Sequence, residues 1–185
     1  MKNIYKIFVI SIFLLCCTTP IFAQQSDNVW DYPVKSGTGQ WESFRTSQEM
    51  HNACQIPEDV LKSLPTDKLA EICLRHPLHG DFIFFNNERE GIKIVINRFN
   101  GFIELSKRKD GTMALVNIYQ NYPVLNYSPE KGDVNYPVPF EMVFLELLIA
   151  DELFINQLSN EELLSFLETV KSKYTGKVNN YSVTV

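Results

Sequence analysis

TDKLAEICLRHP, residues 66–77, decides the fold class. Its Leu69, Ile72, Cys73 and His76 fall at i, i+3, i+4 and i+7, one face of a helix. Thr66 is a residue of N-cap type, Asp67 suits the positive helix start, and Pro77 stops the segment. The spacing recurs on both sides. Upstream, Trp41, Phe44, Met50 and Cys54 predict one short helix, interrupted at Ile56-Pro57. Val60, Leu61 and Leu64 predict a second, stopped by Pro65. Downstream, Ile92, Val95, Ile96 and Phe99 again share a face, and Asn100-Gly101 reads as a helix end and restart. Phe102, Ile103 and Leu105 open a short helix ended by Asp110-Gly111, and Met113, Val116 and Tyr119 follow at helical spacing.

Residues 140–155 are apolar nearly all round, as expected of a helix buried by its neighbours. Ser159 and Glu162 have capping-box spacing, and Leu163, Phe166, Leu167 and Val170 continue one face to Gly176. Phe82-Ile83-Phe84-Phe85 reads equally as a short buried strand or a helix start. The expected class is therefore all-α. The architecture is a compact array of some seven or eight short helices and helical hairpins, compatible with a solenoid, with little or no strand. Helices this short depend on tertiary packing.

Residues 123–139 hold four prolines and interrupt this pattern. Long unstructured connections inside a domain are uncommon and are often functional. The expected organisation is an extended lead-in at 24–40 and one helical domain at 41–176. That domain divides into a helical part (41–122), a Pro/Tyr loop (123–139) and a helical hairpin (140–176); a tail follows at 177–185. Residues 1–23 read as a secretory signal peptide: Lys2 and Lys6, an apolar run from Ile7 to Cys17, and Ala23 at the cut. That run falls short of the ~20 residues a membrane span needs, so the mature chain has no expected transmembrane segment. The expectation is export to the periplasm or beyond. Lipid anchoring through Cys16 or Cys17 is the weaker alternative, because bulky Leu14-Leu15 precede them.

Removal of Lys2 and Lys6 leaves 15 basic against 22 acidic residues, a net charge of −7. A chain this acidic lacks the positive field that attracts nucleic acid. The mature chain keeps Cys54 and Cys73, which in an oxidising compartment read first as a disulfide. With 18 residues between them, the bridge would contribute on the order of 3 kcal/mol.

Residues 41–78, WESFRTSQEMHNACQIPEDVLKSLPTDKLAEICLRHPL, followed by FNGFIELSKRKD at 99–110, resemble an uncharacterised family of exported bacterial proteins. The matching motifs are Ala53-Cys54-Gln55-Ile56-Pro57, Cys73-Leu74, Pro77-Leu78, Asn100-Gly101 and Arg108-Lys109-Asp110. The resemblance covers about half the mature chain. It implies an exported, mainly helical domain and transfers no catalytic residue. The family pattern often has an aromatic where His76 stands, so no ligand role is implied there.

His51-x-x-Cys54 with Cys73-x-x-His76, and His79 nearby, could build a tetrahedral zinc site. That would make the chain a metal-dependent hydrolase. The competing expectation places the three histidines as exposed or capping residues near helix ends. Cys54 with His51 lacks a third member for nucleophilic catalysis, and no Gly-x-Ser-x-Gly elbow or phosphate-binding glycine loop is present. Glu141, Glu146, Asp151 and Glu152 scatter around their helix and read as solvated or salt-bridged acids. No cofactor is implied. Tyr122, Tyr127 and Tyr136 could offer flat contact area to a protein or glycan partner. The functional expectation is a non-catalytic binding or structural domain, with the His51/Cys54/Cys73/His76 hydrolase as the alternative.

Overall fold

Local sequence caps several helix starts. Thr46 accepts from the Glu49 amide (3.2 Å) while the Glu49 carboxylate accepts from the Thr46 amide (3.3 Å). Ser159 and Glu162 repeat this reciprocal arrangement, Asn87 accepts from the Arg89 amide, and Asp151 accepts from that of Leu153. The computed structural model describes residues 30–122 and 140–181. Among them lie ten α-helices, one 3-10 helix and no strand. They are α1 (Gly39–Glu42), α2 (Ser47–Ala53), α3 (Glu58–Ser63), α4 (Thr66–Leu74), the 3-10 helix (His79–Phe84) and α5 (Glu88–Arg98). The rest are α6 (Asn100–Lys107), α7 (Gly111–Asn121), α8 (Phe140–Ile149), α9 (Glu152–Ile155) and α10 (Asn160–Tyr181). None of the helices described is long and apolar enough to cross a membrane.

The all-α expectation holds, with several boundaries corrected. The single helix expected from Trp41 to Cys54 is two, because the Thr46 capping box starts a new one. Residues 140–155 also divide, at the Asp151 cap. Thr66 is not a cap: Pro65 precedes α4, and the Thr66 hydroxyl donates to Asp110 Oδ1 at 3.0 Å. Gly176 does not stop α10, which continues to Tyr181. Phe82–Phe85 contributes no strand. Phe82 is buried in the 3-10 helix, whereas Phe84 is 81% exposed. Glycine at 91 permits the close approach of α5 to this turn, since a Cβ there would stand 2.4 Å from the Phe82 carbonyl oxygen.

In chain order the nine α-helices described after α1 form three successive triplets, α2–α4, α5–α7 and α8–α10, with the 3-10 helix between the first two. The middle triplet packs on both others, through α4 against α6 and α7, and through α7 against α8, α9 and α10. One continuous core runs through them, including Leu69, Ile72, Phe99, Phe102, Leu105, Leu115, Tyr119, Phe144, Leu148 and Phe154. The lead-in joins it, since Tyr32 and Val34 are buried and the Tyr32 hydroxyl donates to the Ile72 carbonyl (2.9 Å).

Hydrogen bonds stitch the triplets at helix ends. Asn100 Oδ1 accepts from the Ile56 amide (3.0 Å) and its Nδ2 donates to the Ile56 carbonyl (2.7 Å), an imitation of backbone pairing. Gln55 reciprocates, accepting from the Asn100 amide and donating to the Arg98 carbonyl. Arg108 donates to the carbonyls of Leu64 (2.7 Å) and Leu61 (2.9 Å). Arg108 is accordingly half-buried, while its neighbours Lys107 and Lys109 are exposed. Gln157 of the third triplet likewise donates to the Ser106 carbonyl (2.5 Å). Asn100→Ala strands both polar groups of Ile56 and should cost about 2–3 kcal/mol. Denaturant unfolding measures this; a loss below about 0.5 kcal/mol would show the stitch to be dispensable.

Candidate functional site

The sequence directs attention first to His51, Cys54, Cys73 and His76. The expected bridge is not formed: both cysteines are free thiols, 0% exposed. Cys54 sits at the C-cap of α2, and Cys73 lies inside α4 against Gly101, where an added Cβ would come within 3.1 Å of its sulfur. Burial raises the Cys54 thiol to about 11 and pushes Cys73 well above its ordinary value. Neither is a poised nucleophile. Both should resist a thiol reagent in the native protein and react in denaturant. On the chain from Gln24, two reactive thiols are expected without reductant, and none would reveal a disulfide.

The histidines are corrected as well. His51 and His76 are buried, at 5% and 1% exposed, and His79 is half-buried. Only His79 caps a helix end, its Nδ1–H donating to the His76 carbonyl (2.6 Å). Arg98 Nη1 lies 3.4 Å from His51 Nε2, and Asp81 Oδ2 lies 4.0 Å from the same nitrogen. Arginine can only donate, so His51 Nε2 accepts and its ring proton sits on Nδ1. His76 is held among aromatic rings, with Phe99 at 4.2 Å, Tyr32 at 5.8 Å and Phe102 at 6.2 Å. His51 Nδ1, both nitrogens of His76 and His79 Nε2 are buried without a hydrogen-bond partner among the described residues. No three His, Cys, Asp or Glu groups among those residues are placed to hold a metal ion. The zinc arrangement is thus not assembled: Arg98 occupies the approach to His51, and aromatic rings enclose His76.

This cluster carries a pH consequence. Burial, with His51 and His79 nearby, pushes His76 down to about 3. The unfolded chain takes up that proton near the ordinary pKa of about 6.5, so below that value it binds more protons than the folded chain. Stability present at neutral pH is therefore lost as pH falls. Burial and the Arg98 charge lower His51 too, while Asp81 is raised by burial and acts in the opposite direction at lower pH. Between pH 7.5 and 5.0, His76 should account for about 2 kcal/mol of lost stability. His76→Phe should flatten the unfolding profile by that amount, and an unchanged slope would refute the assignment.

The second region is an open groove of 730 Å³ between α4 and α7. Its starting end is fixed by the Thr66–Asp110 hydrogen bond and by Arg108 beneath it. Its floor follows successive turns of α7 through Met113, Ala114, Ile118 and Tyr122, half-buried residues flanked by exposed Asn117 and Asn121. Pro65, Asp67, Glu71 and Asp110 complete the rim. A second hollow of 460 Å³ shares Glu71 and Ile118 and continues toward Leu74 and Arg75. Glu71 is paired with Lys68 at 3.1 Å, whereas Asp67 and Asp110 form no ion pair among the described residues.

Tyr122 stands at the far end of the groove, where burial and the Glu141 carboxylate raise its hydroxyl pKa. Lys173 Nζ holds its carbonyl at 2.7 Å and that of Gln120 at 3.2 Å. Tyr127 and Tyr136 lie outside the described residues. Of the four acids near residue 146, Glu146 accepts from the hydroxyls of Tyr119 (2.6 Å) and Tyr174 (2.8 Å), and Asp151 caps α9. These are structural roles. Sequence reasoning missed the groove face, although Ala114, Ile118 and Tyr122 at i, i+4 and i+8 form a second apolar stripe on α7. No family model, curated protein or solved structure matches the chain.

Proposed function

We propose that this chain is an exported, non-catalytic interaction domain that docks a protein partner in the groove between α4 and α7. The carrying observation is the groove: 730 Å³, with a half-buried apolar floor and Tyr122 at one end. Its size lies within the range of binding clefts, and clefts of this kind combine apolar walls with a few polar groups. The walls are secured by Arg108 and Lys173, so the surface is preorganised for binding. Aliphatic side chains dominate the floor, which favours peptide side chains over the flat stacking a glycan seeks. Export rests on the 1–23 segment and places the partner in the envelope or outside the cell.

Ala114 is the small residue that leaves the hollow, so Ala114→Trp fills it, while Tyr122→Ala removes the aromatic end. Residues 24–185 immobilised as wild type and as each variant are exposed to envelope extract of the source cell. Circular dichroism and thermal unfolding establish that each variant is folded. The expected result is a protein retained by the wild type and reduced at least tenfold with the filled groove. Identical retention by all three, or no specific retention, would refute the groove as the docking surface.

A further inference from the structure

Building on that reading, we infer that the partner segment is cationic: a peptide stretch carrying Lys or Arg beside an apolar side chain. The groove rim is negative. Asp67, Glu71 and Asp110 line it, with no basic residue among the described residues bordering the 730 Å³ hollow. Lys68 pairs with Glu71 at 3.1 Å. Asp67 and Asp110 are exposed at the starts of α4 and α7, where each also faces the positive end of a helix. That placement stabilises the helices, yet the helix termini carry about half a charge each and leave a net negative rim. At the opposite end the floor closes on Tyr122. Arg75 enters only in the continuation beyond Ile118.

The floor dictates the rest of the chemistry. Ala114 and Ile118 offer a hollow for one aliphatic or aromatic side chain, and exposed Asn117 and Asn121 beside it present amides to a peptide backbone. A segment seated there places its flanking side chains over Asp67 and Asp110 at one end and against Tyr122 at the other. Cations over those acids gain attraction, whereas carboxylates would meet repulsion, and this selects between partners of equal apolar content.

The test is selection from a random twelve-residue peptide library on the chain from residue 24 to 185, followed by titration of selected peptides. Enrichment of Lys/Arg-containing sequences with one apolar residue is expected. Binding should weaken at least threefold between 50 and 300 mM salt, and at least fivefold in Asp67→Asn/Asp110→Asn. Asparagine keeps an acceptor for Thr66, so that variant should fold as the wild type. Amide shifts should map to Asn117, Ile118 and Tyr122. Selected peptides that are neutral or acidic yet shift those same residues would overturn the charge assignment and leave the docking groove standing. Cationic peptides that shift other faces, or no enrichment over the bare matrix, would overturn both.

Discussion

Short helices leave many backbone groups without partners, and the way those ends are satisfied governs this structure. Each helix has four amides at its start and four carbonyls at its end that cannot bond within it. α3 has six residues and α9 four, so the orphan groups are a large share of the total. Local caps such as Asp151 meet amides at the starts, and side chains from the neighbouring triplet meet carbonyls at the ends: Arg108 on Leu61 and Leu64, Gln157 on Ser106, Lys173 on Gln120 and Tyr122. Helix termination and triplet stacking are thus one set of interactions. Loss of a stitching residue both frays an end and loosens a layer.

The same stacking explains why the histidine cluster is chemically quiet. His76 is enclosed by Phe99, Tyr32 and Phe102, and His79 has committed one nitrogen to the end of the turn that follows α4. His51 faces a guanidinium, which disfavours both its protonation and a metal cation at Nε2. Buried unpaired imidazole nitrogens cost stability, and protonation costs more in this surrounding. The apolar packing that closes around them offsets that cost at neutral pH.

How much of this was legible follows from range. The 3.6-residue periodicity of Leu69, Ile72 and Cys73 and the Ser159–Glu162 cap are local, and both read correctly. The motifs behind the resemblance, Gln55-Ile56, Asn100 and Arg108-Lys109-Asp110, were visible as breaks and caps. Their actual work is mutual, across more than 40 residues, which no local pattern shows. Burial of His51 and His76 was missed for the same reason: what encloses them comes from the lead-in, α5 and α6. Of the three tyrosines, Tyr122 stands at one end of the groove, whose other lining residues are brought together by α4 lying alongside α7.

The groove itself is a by-product of that packing. α7 must bury Leu115, Val116 and Tyr119, which leaves its other flank to α4. α4 has nine residues against eleven in α7, and their starts are held together by Thr66 and Asp110. At 1.5 Å per residue, α7 therefore runs about 3 Å past its neighbour, leaving Asn121 and Tyr122 beyond its end. Ala114, small between Met113 and Ile118, deepens the gap that remains. The surplus length and the missing side-chain volume together leave apolar surface that no element of the described fold covers. Its acidic border follows from the helix starts gathered at one end. The groove's shape and its acidic border are thus set by where helices begin and how long they run.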